Sequence, residues 1–276
     1  MKNTLAILII ALFSLKSAAQ HSHLNVGALG KNQGDKLFFA NGNEFATSSS
    51  YVKTLNYTNG ARYAGYYEGG ITLTALPETA PFGGPDPDAA AFGSYIQFSM
   101  SCLEGPEGGT FQFWEVTGTT PTLSLAPGET NATLFRLSES DGSPGSDPYG
   151  HIHGRRFTAT KPGVYKIGFK AWDTSTNGMN GGPIHTPSDV LPVWFEAGVN
   201  IVFIEPDYEE GHVHIKFGAP AGFSWQVEAT RVLGPQANWQ PAGNPVVGAD
   251  VFVATIHDVT PGLQRFYRVK GTPIIP

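Results

Sequence analysis

Apolar and polar residues alternate along most of this chain with a period of two, and no stretch sustains the 3.6-residue period of a helix. The clearest run is residues 164–172, where Tyr165, Ile167, Phe169 and Ala171 alternate with Lys166, Gly168 and Lys170. Lys161-Pro162-Gly163 just before it reads as a tight turn, because proline fixes φ and glycine admits positive φ. Residues 157–160 read as the partner strand, so the pattern predicts a β-hairpin. Asn41-Gly42 after the strand candidate 36–40 is a second hairpin signal. Further strands are expected at 51–55, 63–67, 71–76, 95–102, 109–116, 122–125 and 133–137, and 193–202 contains a closing strand. Short strands at roughly ten-residue intervals predict an all-β fold, an antiparallel β-sandwich of jelly-roll or immunoglobulin-like type.

A second unit is expected to begin near Glu205-Pro206. There Val213, Ile215 and Phe217 alternate with His212, His214 and Lys216, and strands follow at 223–229, 251–256 and 266–269. The organisation predicted is a leader at 1–19, a main sandwich at 20–203, and a small fibronectin- or immunoglobulin-like sandwich at 204–276.

Composition supports this picture. Glycine (34) and proline (21) are abundant and charged residues make up only 14%, as in short strands joined by tight turns. A net charge of −6 argues against nucleic acid, which calls for a basic stripe. Lys2 followed by the apolar run 5–13 and the small residues Ser17-Ala18-Ala19 reads as a secretory leader cleaved before Gln20, or before His21. No later run is long enough to span a membrane, so the mature protein is expected to be exported, to the periplasm or the cell surface and beyond. Cys102 is the sole cysteine and reads as buried packing rather than as a nucleophile.

The candidate chemistry lies in the histidines. Six of the eight form three His-x-His pairs, and such a pair on a strand puts two imidazoles on one face. His151 and His153 lie in phase with Phe157 on a regular strand, which turns them inward, and they are the core metal candidates. His21 and His23 can join them, and cleavage before His21 would make a terminal copper chelate. His185 in the loop 173–189 is a further candidate ligand. His212 and His214, opposite the apolar face of their strand, read as solvated surface. Asp141 to Asp147 lacks the spacing of a calcium loop, and Arg155-Arg156 can clamp an anion or simply pair with neighbours.

Gly150, His151, His153, Phe157, Thr158, Pro162, Gly163, Tyr165 and Ala171 resemble the GHxHxxxxFT and PGxY pattern of a repeat in bacterial surface-anchored proteins of the choice-of-anchor type. One residue fewer separates His153 from Phe157 than in that pattern, and Ala159-Thr160 is additional. The whole chain is also similar to secreted proteins of unassigned function from planctomycete-like and verrucomicrobial bacteria. The resemblance implies an extracytoplasmic β-sandwich with a metal role. The expected function is therefore non-catalytic binding of Zn or Cu, or of a small ligand, at the cell envelope. The alternative is a structural or adhesive protein that contacts a cell-surface component, its histidines bracing loops.

Overall fold

The computed structural model describes residues 23–78, 86–207, 209–258 and 264–274. The leader, its cleavage site and His21 lie outside the described residues. Strands dominate, the few helices are one-turn pieces, and no described helix is long and apolar enough to cross a membrane.

The largest sheet runs in the order Leu123–Leu125, Phe111–Trp114, Arg156–Ala159, Tyr67–Gly69, Val52–Tyr57, Leu191–Ala197, Gly163–Asp173, Ile96–Glu104, Phe135–Arg136. It curls so that its two halves face each other. Phe157 on one half meets Phe195 and Phe169 on the other, with ring centroids 5.4 and 5.9 Å apart, and Phe111 meets Phe195 at 4.9 Å. These fully buried rings form the main core. Edge-on and tilted contacts of this kind add to the burial of their large apolar area.

The expected hairpin at 157–172 is not formed. Arg156–Ala159 pairs with Phe111–Trp114 and Tyr67–Gly69, whereas Gly163–Asp173 pairs with Ile96–Glu104 and Leu191–Ala197. The turn at Gly163 (φ 135°) carries the chain across the core as an arch. The two strands then face each other across the same interior, Phe157 against Phe169, instead of lying side by side in one face as hairpin strands do. Asn41-Gly42 makes no hairpin either. The Asn41 side chain accepts the Asn25 N–H (2.9 Å) and donates to the His23 carbonyl (2.8 Å), standing in for a neighbouring strand. Gly42–Phe45 then forms a helical turn.

The ladders are mixed rather than wholly antiparallel. His23–Ala28 runs parallel to Thr72–Ala75, and Leu191–Ala197 runs parallel to Val52–Tyr57. In each case a long intervening segment returns the chain to the same end of the sheet, which adjacent short turns cannot do. A smaller sheet, Gly150–His151, Thr72–Ala75, His23–Ala28, Leu37–Phe39, caps the core with Leu24, Val26, Leu73 and Ala75.

The closing strand expected within 193–202 is Leu191–Ala197. Gly198 (φ 72°) ends it, and the following Ile201–Asp207 belongs to the next sheet. That sheet, Ile201–Asp207, His212–Ala219, Val251–Asp258, packs with Phe223–Thr230 and Phe266–Pro273 around a second core of Val213, Ile215, Phe217, Trp225 and Val227. Backbone bonds from Val52 N–H to Asp250 O (3.0 Å) and Phe252 N–H to Ser50 O (2.9 Å) join the two cores.

Glu196 lies at this junction, fully buried. Its Oε1 accepts the Asn200 N–H (2.9 Å). The Gly218 backbone comes so close that a Cβ there would run into Oε2. Burial pushes the carboxyl up to about 7 from 4.5, with the Asn200 and Gly218 amides pulling it back partway. A raised carboxyl favours the protonated folded state. Its contribution is therefore greatest below pH 4.5, declines as pH rises to about 7, and is flat above that. The full swing is on the order of 3 kcal/mol. Urea unfolding between pH 4.5 and 8 is expected to show this loss, and Glu196→Gln is expected to flatten it. A pH profile that the substitution leaves unchanged would assign the dependence elsewhere.

Candidate metal centre

The strand His212–Ala219 turns Val213, Ile215 and Phe217 into the second core and places His212 and His214 on its other face. The preceding edge strand tolerates Pro206 because its outer side needs no ladder partner. Its antiparallel register puts Asp207 opposite His212 and Glu205 opposite His214. Gly211 (φ 71°) supplies the left-handed step that closes the turn between the strands. Asp207 Oδ1 accepts the Glu209 and Glu210 N–H groups, both at 3.1 Å, which fixes the carboxylate and leaves Oδ2 towards the histidines.

Asp207, His212 and His214 thus form a half-buried group whose ligand atoms lie within 4.8 Å of one another, and it can hold a metal ion. His212 Nε2 is 3.0 Å from His214 Nε2 and 3.9 Å from Asp207 Oδ2. Four ligands at about 2.0–2.1 Å around a tetrahedral ion are separated by roughly 3.3 Å, within the span of these separations. Two imidazoles and one carboxylate suit Zn(II) or Cu(II), and with three protein ligands a fourth position is left for water or another donor.

The histidines singled out from the sequence fall in two places. His23, His151 and His153 come together: the His23 and His151 ring centroids are 4.4 Å apart, and those of His151 and His153 are 4.1 Å apart. The phase argument that turned the last two inward does not hold, because the strand is interrupted. His151 ends the two-residue strand Gly150–His151, Gly154 (φ 84°) makes a turn, and a new strand starts at Arg156. His151 is half-buried and His153 is exposed. Burial lowers the His151 pKa first of all, and the neighbouring His153 and His23 lower it further.

His185 stands apart from both groups. It is buried in the loop between strands, with Nε2 accepting the Ala91 N–H (2.9 Å) and Nδ1 donating to the Asp35 carbonyl (3.0 Å). With both nitrogens occupied it braces loops and offers no lone pair to a metal. His212 and His214 do sit on the solvent face, as their alternation indicates. Asp207 was missed, since a strand ahead of Pro206 was not expected and the register that aligns it with His212 is not readable from spacing alone.

The remaining candidates have ordinary roles. Arg155 forms a two-pronged pair with Glu115 (2.9 and 3.0 Å) and Arg156 pairs with Glu68 (2.7 Å), so neither is an anion clamp. Asp141 accepts the Ser143 N–H and Asp147 accepts the Glu78 and Tyr149 N–H groups, which makes them turn residues. The buried Cys102 thiol is pushed up to about 11 by burial and by Glu129, as befits packing rather than nucleophilic attack. Compared with known proteins, the chain matches no family model, no curated protein and no solved structure.

Proposed function

We propose that this is an exported, non-catalytic β-sandwich protein that binds a divalent transition-metal ion, Zn(II) or Cu(II), at the cell envelope. The observation that carries the reading is the Asp207–His212–His214 group, with its carboxylate pre-oriented by two backbone amides. Export is supported by the apolar leader and the small residues after it, and envelope placement by the resemblance to surface-anchored repeats. The three side chains lie on the outer face of the sheet, with Glu205 across from His214, and an ion held there would be open to solvent. That setting supports storage, transfer or structural bridging better than substrate turnover.

The test is metal content of the mature protein, by elemental analysis and by titration, beside a His212→Ala/His214→Ala variant. The expected result is tight Zn(II) or Cu(II) binding, with one ion fewer per chain in the variant. A variant that binds as many ions as the wild type would remove this centre. The 3.0 Å contact would then be one imidazole donating its Nε2–H to the other. The loop-bracing reading of the histidines is favoured at one residue, His185, by its two hydrogen bonds.

A further inference from the structure

The second grouping of ligating side chains is at the start of the N-terminal strand, and no residue of the Asp207 centre belongs to it. Thr72–Ala75 lies between His23–Ala28 and Gly150–His151 in the small sheet. Its register sets His23 beside Thr72, Asn25 beside Thr74, and His151 opposite Thr74. Period-two alternation turns Leu24, Val26, Leu73 and Ala75 into the core, so His23, Thr72, Thr74 and His151 share the other face. The turn after His151 folds His153 back against the His151 ring. Three imidazoles from two distant parts of the chain are therefore brought together, with the His151 ring against each of the other two.

One of their nitrogens stands out. His151 Nε2 is buried and has no hydrogen-bond partner. Buried polar groups are nearly always paired, and one left open asks for an explanation such as an ion. The surrounding polar groups are arranged to hold the rings. His23 Nδ1 is 3.3 Å from Thr74 Oγ1, which steadies that ring, and Glu139 Oε1 accepts the His151 backbone N–H (3.1 Å), which steadies the segment that carries the other two.

We propose that His23, His151 and His153 form a second metal site, with an all-imidazole donor set, that takes Cu(II) ahead of Zn(II). Imidazole nitrogens suit both ions, and the general affinity order of divalent metals then puts copper ahead of zinc. The three nitrogens do not share one 4.8 Å sphere as placed. His153 is the exposed member of the three, so its side chain is the freest to turn towards the others. The bound ion would pin the first residues of the mature chain to the segment 150–153. That fastening adds to the Asn41 side chain, which already holds the backbone at His23 and Asn25.

The experiment uses the full mature protein carrying Asp207→Asn and His214→Ala, so that only the second site remains. It is expected to bind one Cu(II) per chain and to show coupling to several imidazole nitrogens by electron paramagnetic resonance. Adding His153→Ala is expected to weaken binding by about tenfold or more. Adding His151→Phe, which keeps a ring in the half-buried position, is expected to abolish it. Because His153 is exposed, its alanine variant remains decisive even if the His151 variant misfolds. No Cu(II) binding overturns the proposal. So does binding that His153→Ala leaves unchanged, which would point to the chain terminus instead. Failure of the Asp207 reading is seen separately, as equal ion counts in the wild type and the Asp207→Asn/His214→Ala protein.

Discussion

Asp207→Asn is expected to weaken Zn(II) binding at the C-terminal sheet by well over tenfold while leaving stability nearly unchanged. The asparagine carbonyl can still accept the Glu209 and Glu210 N–H groups that Oδ1 accepts now, so the turn is preserved. In the place of Oδ2 it offers an NH2 group, which has no lone pair for a cation. Loss of an outer-shell partner alone typically costs about 10–100-fold in metal affinity. Loss of a direct ligand should cost at least as much, so His214→Ala is expected to fall by roughly 100-fold or more by the same yardstick. Both substitutions lie on a solvent face, and the change in unfolding free energy is expected within about 0.5 kcal/mol. Competition with a chromophoric chelator, in a His151→Phe/His153→Ala background that silences the N-terminal cluster, gives the affinities. Asp207→Asn binding with wild-type affinity would leave only a histidine pair, too few ligands for a tight site.

Phe195→Ala is expected to destabilise the protein by about 3–5 kcal/mol, the usual cost of removing a buried phenylalanine ring. Phe195 is fully buried and touches Phe111, Phe157 and Phe169, which come from both halves of the curled sheet. The surrounding rings belong to hydrogen-bonded strands, so the space cannot easily collapse, and the cavity term adds to the lost burial. Strand Leu191–Ala197 also carries Trp194, which packs on Phe252 at 6.4 Å, and Glu196. Loss of the ring should therefore loosen the junction between the two cores as well. Chemical denaturation measures the effect. A cost below about 1 kcal/mol would mean that the halves do not meet through this ring.

Most strands were legible because alternation reports which residues are buried, whichever strand lies alongside; the one expected at 63–67 is not formed, since a helical turn ends at Tyr63 and the strand there starts at Tyr67. Tyr165, Ile167, Phe169 and Ala171 are all core residues, as are Val213, Ile215 and Phe217. The same alternation put His212 and His214 together on the solvent face. Neighbours were less legible. Lys161-Pro162-Gly163 has the composition of a hairpin turn and serves as an arch, because local residues set the bend but not the partner of the strand that follows. The meeting of His23 with His151 and His153 was one option among several in the sequence, with His185 a further candidate ligand.

What the sequence determined, then, is what depends on one unbroken strand at a time: an all-β chain, the inner and outer faces of its clearest strands, and the placing of His212 and His214 on one side. What only the tertiary structure decided is what crosses strands. It set the register that aligns Asp207 with His212, and it placed Thr72–Ala75 between the two histidine segments. It also directed both nitrogens of His185 into loop backbone. The physical reason is that a side chain's face follows from backbone geometry over two residues, whereas its partners follow from how the whole core closes.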